Sequence, residues 1–394
     1  MKSGEKIFAI AICAYAAVSA ASPVGSFLVT NNDVPKANPP VGPAGSTATF
    51  YALGSDGAVT GMTVVATGGI GVGGGDFAYS RIAIVPQGDD VCVFASNAAP
   101  TANIAGISAT SLTVTGNFAA SSTDTATANG IGLAANASYL YAAFSSSSTI
   151  ATFSVQSGCL LSFVSDLFEV GLNNGLVAGM AIHGPTMIVT FGDGSIESFN
   201  IAAGAPVSNG DAENSTGSAE DHLPNGLDIT ADGHYAIFGD ASTTTSVEVS
   251  DISSGKLTPT LVYDLGPGWN SSSVRLTPDE SMIIVTNNSG GAVTALRFNK
   301  VSGKIASGCT SGPLSGFYTS WSYAGAAALQ LPTSLGGLIY VPEFGSNGFS
   351  SIGVVQLNST GKSCTLSELS TSPIVDNNDA SALLSIGIYP VRPF

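Results

Sequence analysis

Positive charge is scarce in this chain of 394 residues. It contains 11 Lys and Arg residues against 27 Asp and Glu residues, and its formal net charge at pH 7 is −16. Nucleic acids and anionic membranes are bound through basic patches, so this composition argues against both as partners. Only 10% of the residues are charged while 44% are hydrophobic, and glycine is abundant, which is typical of an all-β protein with a large core.

Long hydrophobic segments are also missing. The apolar run at residues 7–18 is too short to cross a bilayer. It follows Lys2 and Lys6 and ends in the small residues 18–20, which is the pattern of a secretory signal peptide. We therefore predict a signal peptide at residues 1–20 and a single secreted domain at residues 21–394. We expect this domain to be a monomer that is extracellular or held in a cell wall, without a membrane span.

Cysteine is rare, and its distribution fits the same compartment. Cys13 falls in the predicted signal peptide, which leaves an even number, and an even number in an oxidising compartment implies two disulfides with three possible pairings. Cys309 and Cys364 follow matching turns in successive repeats, so we pair them with each other and pair Cys92 with Cys159. A metal site is less favoured because no cysteine has a CxxC partner or a nearby histidine.

Five sequons for N-linked glycosylation agree with a secretory route. In a secreted eukaryotic protein their asparagines are expected to carry glycans on surface loops. They are Asn136, Asn214, Asn270, Asn287 and Asn358.

Helical periodicity is nearly absent, and six short stretches instead repeat one pattern about every 45 residues, a spacing typical of propeller blades. Each stretch reads large, small, large, then a turn and a second apolar strand. The N-terminal strands of residues 26–67 and the last strand, residues 382–389, then complete a seventh blade and close the ring. We predict an all-β, seven-bladed β-propeller. The six stretches are residues 81–90, 130–136, 179–184, 226–233, 273–279 and 326–332.

Three charged residues interrupt columns of small residues in the aligned repeats. Asp228 and Arg275 occupy the small position of consecutive inner strands, near the axis of the ring. Buried charges need partners, so these two residues either form a structural contact or line the floor of a ligand site. Arg81 stands two residues earlier in its repeat, near the mouth of the ring, where it would bind an anion or cap loop carbonyls.

The blade pattern, for example at residues 273–287, resembles the lactonase family of seven-bladed propellers. This family includes 6-phosphogluconolactonases and fungal 3-carboxy-cis,cis-muconate lactonizing enzymes. The chain looks especially similar to secreted fungal 3-carboxymuconate cyclase-like proteins, which share the terminal Tyr-Pro-x-Arg-Pro-Phe found here at residues 389–394. The resemblance implies a reaction that opens or closes a lactone in the central channel.

Several polar groups of that family are replaced in this chain. Pro-Arg-His at the start of one inner strand corresponds to residues 224–226, Pro-Asn-Gly, and Ser273 stands where the family has Glu. Ser-Asn-Arg corresponds to residues 286–288, Thr-Asn-Asn, and Arg275 alone is retained. Lactone chemistry needs a general acid or base and a clamp for the developing charge. We therefore predict an extracellular binding protein that has lost the family's reaction.

The alternative is an active lactonase or cycloisomerase with a rebuilt site. Its candidate catalytic residues are Arg275, Asp228 and His222, and its candidate ligand-binding residues are Arg81 and Asn225.

Residues 223–233 also resemble gluconolactonase/SMP-30 propellers, in which the Asn of Pro-Asn-Gly binds a divalent metal such as Ca²⁺. A tight turn into the inner strand explains the same residues. We predict no cofactor, and we expect the partner to be a small molecule or a cell-wall ligand.

Overall fold

The computed structural model is all-β and confirms the predicted fold class. It describes residues 25–32, 45–71, 80–122, 130–214, 224–240, 246–266, 271–287, 290–316, 327–330, 337–344, 350–360, 363–375 and 383–391. These residues form seven antiparallel sheets, each with four main strands, and they contain no helix. No helix in this part of the chain is therefore long or apolar enough to cross a membrane.

Each sheet is one blade, and its strands follow one another outwards from the axis. Blade 1 combines the last strand with the first three, and the other blades are continuous in sequence. Blade 1 contains β30 (Leu383–Tyr389), β1 (Phe27–Asn32), β2 (Thr47–Leu53) and β3 (Val59–Ala66). Blade 2 contains β4 (Ile82–Gln87), β5 (Asp90–Asn97), β6 (Asn103–Ser108) and β7 (Thr113–Ala119). Blade 3 contains β8 (Ile131–Ala135), β9 (Tyr139–Phe144), β10 (Thr149–Gln156) and β11 (Leu160–Phe168).

The remaining blades follow the same plan, and two of them carry a short fifth strand. Blade 4 contains β12 (Val177–His183), β13 (Thr186–Phe191), β14 (Ser195–Ala202), β15 (Ala205–Ser208) and β16 (Glu213–Asn214). Blade 5 contains β17 (Pro224–Ile229), β18 (Tyr235–Asp240), β19 (Ser246–Asp251) and β20 (Thr258–Asp264). Blade 6 contains β21 (Ser271–Leu276), β22 (Met282–Asn287), β23 (Val293–Asn299) and β24 (Lys304–Thr310). Blade 7 contains β25 (Ala327–Gln330), β26 (Gly337–Phe344), β27 (Ser350–Thr360), β28 (Ser363–Glu368) and β29 (Ile374–Val375).

The ring is closed by the two ends of the chain, as the sequence predicts. β1 pairs with β30 in antiparallel register, with Val29 opposite Gly387 and Phe27 opposite Tyr389. The innermost strand of every blade contacts the innermost strand of the next, so that the seven inner strands surround a central axis. β30 is the innermost strand of blade 1, so the last strand of the chain completes the blade that the first three strands begin.

The hydrophobic core lies between the blades. Side chains of a strand alternate between its two faces, so each blade presents apolar residues to both neighbours. Seven buried clusters result, one for each interface between blades. The interface of blades 2 and 3 is built on Phe94, Phe144 and Phe153, while Tyr51 and Tyr340 fill the interface of blades 1 and 7.

Both disulfides connect neighbouring blades, and their pairing is the predicted one. Cys92 in blade 2 bonds Cys159 in blade 3, with 5.1 Å between the Cα atoms. Cys309 in blade 6 bonds Cys364 in blade 7, with 5.5 Å between the Cα atoms.

The inner strands of blades 4, 5 and 6 share an irregularity where they begin. In each of them the register with the second strand shifts by one residue, at Val177/Gly179, Asn225/Leu227 and Ser271/Ser273. Gly226 is the extra residue in blade 5 and has a φ of +61°. A Cβ there would lie 2.5 Å from the main-chain nitrogen of Val274, so glycine is needed for both conformation and space.

Candidate functional site

The end of the ring at which the inner strands begin, here called the upper end, contains a series of buried polar side chains. Neighbouring strands are antiparallel, so the second strands finish at this end and the third strands start there. Asn31, Asn97, Asp240, Asn287 and Glu343 finish second strands and are all at most 6% exposed. Buried polar groups in such a position are either structural or part of a site, and their contacts distinguish the two cases.

Asp228 and Arg275 are brought together on the inner strands β17 and β21. The Asp228 carboxylate accepts hydrogen bonds from the main-chain N–H of Leu276 at 2.8 Å and of Ile229 at 2.9 Å. Arg275 Nη1 donates in the opposite direction, to the main-chain carbonyl of Leu227 at 2.8 Å. Each charged side chain therefore binds the main chain of the other's strand. The pair joins blade 5 to blade 6 close to the axis, with both side chains half-buried.

Arg81 is buried at the upper end, with 1% of its surface exposed. Its main-chain N–H donates to the hydroxyl of Ser385 in the closing strand, at 3.0 Å. Its guanidinium lies so close to Gly130 in blade 3 that a Cβ at that glycine would overlap it. Gly130 has a φ of +88°, which independently favours glycine there. Arg81 thus spans from blade 1 to blade 3 beneath the surface of the ring.

The other candidates from the sequence are described only in part. His222 lies outside the described residues, and for Asn225 the description covers the main chain, which pairs with Gly239. Ser273 is fully buried, and its hydroxyl has no hydrogen-bond partner among the described residues. The structure therefore unites Asp228 and Arg275 and leaves the predicted roles of His222 and Asn225 as predictions.

Glu343 is a buried carboxyl that the repeat alignment does not single out, because it lies on a second strand. It is 1% exposed, and its Oε2 accepts a hydrogen bond from the Ser351 hydroxyl at 3.3 Å. Its Oε1 has no hydrogen-bond partner in the described part of the chain. Gly353 lies against this oxygen, where a Cβ would be 2.8 Å away. Burial and the nearby charge of Glu368 raise the pKa of Glu343 to about 8.

A small cavity adjoins Glu343 between blades 6 and 7. It is bordered by Thr286 and Asn287 at the end of β22 and by the apolar side chains of Leu314 and Val341. Its volume accommodates about one water molecule. The carboxyl and the cavity together form a polar site at the upper end that a proton or a water molecule can occupy, but that is too small for a sugar or a lactone.

In the described part of the chain, no group of three or more His, Cys, Asp or Glu residues has the arrangement of a metal site. The divalent cation at Asn225, which the sequence offers only as an alternative to a tight turn, is not tested, since the side chain of this residue is not described.

The five sequon asparagines differ in position. Asn214 and Asn358 are exposed and Asn136 is half-buried in a turn, whereas Asn270 lies outside the described residues. We expected Asn287 on a surface loop, but it is buried. It is 6% exposed at the end of β22, where its side-chain carbonyl accepts a hydrogen bond from the Gly290 N–H at 3.3 Å. The side chain of Asn287 is thus engaged inside the fold.

No protein-family model matches the chain, and neither does any curated protein sequence. Solved structures with a similar fold include a putative 6-phosphogluconolactonase from Bacteroides fragilis, which is 13% identical over 94% of this chain and 99% of its own, with a TM-score of 0.65. A putative 6-phosphogluconolactonase from Bacteroides uniformis is 14% identical over 92% and 99%, with a TM-score of 0.67. The periplasmic gluconolactonase PpgL of Pseudomonas aeruginosa is 14% identical over 71% and 80%, with a TM-score of 0.54. At these identities the similarity concerns the fold alone, and the chain shares the β-propeller fold of these proteins.

Proposed function

We propose that this protein is a secreted, glycosylated propeller that binds an extracellular or cell-wall ligand and does not catalyse lactone chemistry. The contacts of Asp228 and Arg275 carry this proposal. A general acid, a general base or a charge clamp must direct its polar atoms at the substrate. Here both side chains direct polar atoms at the main chain of the neighbouring blade, where they hold β17 and β21 together.

Secretion is supported by the disulfides and by the N-terminal sequence. Disulfides persist in oxidising compartments. Both disulfides here join neighbouring blades, so their reduction would weaken the contact between those blades. The apolar run after Lys2 and Lys6 fits a signal peptide that would direct the chain to such a compartment.

A relationship to the fungal 3-carboxymuconate cyclase-like proteins is part of the proposal. The C-terminal sequence shared with them begins at Tyr389, whose ring stacks on Phe27 with 5.4 Å between the centroids. This contact lies where β30 pairs with β1. The shared sequence would then have been kept because it closes the ring, which is consistent with an inherited fold and a lost reaction.

The second candidate is an active lactonase or cycloisomerase, and the state of Glu343 favours it. A carboxyl with a pKa of about 8 is protonated at neutral pH and can serve as a general acid. Against this candidate, Glu343 lies between two blades beside a cavity that holds about one water molecule.

A turnover assay distinguishes the two functions. The secreted protein would be incubated with 3-carboxymuconate, gluconolactone and 6-phosphogluconolactone, with and without EDTA, and products would be followed by chromatography. We expect no turnover above the buffer rate. Turnover that is lost in Arg275→Ala and kept in Lys304→Ala, a change of an exposed residue in β24, would refute the binding function. Circular dichroism of both variants would confirm that they are folded.

A further inference from the structure

An open groove lies between blades 3 and 4 at the lower end of the ring, opposite the upper end. Three turns form it: the turn between β8 and β9, the turn between β12 and β13, and the turn between β14 and β15. Its volume is about 400 Å³, within the roughly 300–1,000 Å³ of small-molecule sites. All of its lining residues are uncharged, and they include Asn136, Ser138, Tyr139, Pro185, Ile201 and Gly204. The groove therefore suits a neutral ligand with both apolar and hydroxyl groups.

One wall of the groove is itself a sequon, Asn136-Ala137-Ser138. The side-chain carbonyl of Asn136 accepts hydrogen bonds from the main-chain N–H groups of Ser138 and Tyr139, both at 2.9 Å. These bonds fix the amide plane of Asn136 within the turn. The amide nitrogen, to which an N-linked glycan is attached, lies in the same plane and is bonded to the same carbon as the carbonyl oxygen.

Tyr139 supplies an aromatic surface directly after the sequon. Its ring packs against Gly204 of blade 4 so closely that a Cβ at this glycine would overlap it. Gly204 has a φ of +90°, and Pro185 and Ile201 add apolar surface on the same side. An aromatic ring with an apolar face and a polar hydroxyl is well suited to the face of a sugar ring.

We propose that the first N-acetylglucosamine of a glycan on Asn136 lies in this groove against Tyr139 and connects blade 3 to blade 4. The inference rests on the proposed secretion and glycosylation of the protein. The occupant follows from the covalent geometry, because a sugar attached to Asn136 starts at the wall of the groove. The other exposed sequons serve as comparisons, since Asn358 lies on the exposed end of β27.

Two matched variants test the proposal in protein secreted from a glycosylating host. Ser138→Ala removes the sequon but keeps Asn136 and the hydrogen bonds of its carbonyl. Thr360→Ala removes the sequon of Asn358 in the same way. Glycopeptide mass spectrometry measures occupancy, and thermal unfolding measures stability. We expect Ser138→Ala to lower Tm by about 2–4 °C and Thr360→Ala to change it by less than about 1 °C.

Cleavage by an endoglycosidase provides a readout that does not depend on stability. In the native protein the glycan on Asn136 is expected to resist cleavage while that on Asn358 is released, and denaturation should remove the difference. Equal cleavage, equal Tm changes, or an unoccupied Asn136 beside an occupied Asn358 would overturn the inference alone. Absence of glycans from every sequon would overturn the glycosylation in the proposed function as well. Stabilisation of the Ser138→Ala variant, but not of the glycosylated wild type, by free N,N′-diacetylchitobiose would support the inference, because only the variant leaves the groove open to a free sugar.

Discussion

Two charged residues near the axis stand out in the sequence, yet in the fold they have a structural role. Asp228 and Arg275 stand out because the other repeats have Ala or Gly at the same position. Their hydrogen bonds between blades are made to main-chain groups of each other's inner strand. Ser96 makes a similar contact from the second strand of blade 2, with its hydroxyl donating to the Ile131 carbonyl of blade 3 at 2.8 Å. Among the described strands, neighbouring blades share no sheet hydrogen bonds. Polar side chains near the axis therefore supply hydrogen bonds that join one blade to the next.

At the residue scale, Glu343 predicts how stability depends on pH. Its pKa is about 8 in the folded protein and near 4.5 in an unfolded chain, so the folded state retains the proton over this interval. The contribution of Glu343 to stability is therefore fully present below pH 4.5 and is lost as the pH rises to about 8. At about 1.4 kcal/mol for each pH unit, the loss is on the order of 3–5 kcal/mol.

Glu343→Gln tests this dependence because an amide mimics the neutral carboxyl. Its Tm should match the wild-type value near pH 4 and exceed it near pH 8. Asp89→Asn, in the exposed turn after β4, serves as the control and should leave the pH profile unchanged. Parallel profiles for the wild type and Glu343→Gln would show that Glu343 does not set the dependence.

The sequence is informative about residues only as far as the repeats extend. Aligning the inner strands identifies Asp228 and Arg275, because the other repeats have a small residue at the same position. The alignment does not reveal their partners, which are main-chain atoms of another blade. The alignment does not identify Glu343, because this residue lies on a second strand. Its raised pKa depends on burial between two blades and on the charge of Glu368, and neither is visible in the sequence.

At the element scale, tyrosines of second strands bind turns of the following blade. The Tyr141 hydroxyl donates to the Gly204 carbonyl at 3.0 Å, and the Tyr340 hydroxyl donates to the Gly57 carbonyl at 2.7 Å. Both acceptors lie in the turn between the third and fourth strands of their blade. Burial raises the pKa of Tyr141 and of Tyr340, so both remain phenols and can donate. Tyr235 makes a longer contact of the same kind, 3.5 Å from the Val301 carbonyl.

These distances predict an order of effects for three substitutions. Tyr340→Phe and Tyr141→Phe should each lower the free energy of unfolding by about 1 kcal/mol, since a buried carbonyl loses its donor. Tyr235→Phe should cost less, because its bond is longer and lies near the surface. Urea denaturation of the three variants measures the order. A cost for Tyr235→Phe as large as that of Tyr340→Phe would contradict it.

The elements were largely predictable, since strand alternation is a local property that the sequence displays directly. The tyrosine contacts and the register shifts at the start of β12, β17 and β21 were not predictable. The shifts depend on how closely neighbouring inner strands approach, as the space beside Gly226 shows. A glycine in sequence is compatible with a turn, a shift or a close approach, and only the neighbouring blade decides among them.

On the scale of the whole molecule, the two disulfides reinforce two of the seven interfaces unequally. They span 67 and 55 residues of chain, so their effects on the entropy of the unfolded state are similar. Cys92 and Cys159 belong to the fully buried cluster between blades 2 and 3. Cys309 and Cys364 are only partly buried between blades 6 and 7.

Removing the first disulfide is therefore expected to be more costly. The double variant Cys92→Ala/Cys159→Ala should lose about 2–5 kcal/mol of unfolding free energy, and Cys309→Ala/Cys364→Ala should lose less. The difference arises from packing, since only the first pair leaves a fully enclosed cavity. Denaturant unfolding of both double variants, with the wild type under reducing conditions as reference, measures it. A larger loss in the second variant would contradict the packing argument.

The closure of blade 1 also determines how the molecule would respond to mechanical force. Phe27 and Tyr389 lie opposite each other at the same end of the paired strands β1 and β30. Tension applied through the two ends of the chain would peel these strands apart one residue pair at a time, rather than shear all of their hydrogen bonds together. Neither disulfide crosses this seam. A ring that is tethered by both ends would open at blade 1 first, while the six remaining blades stay joined in one arc.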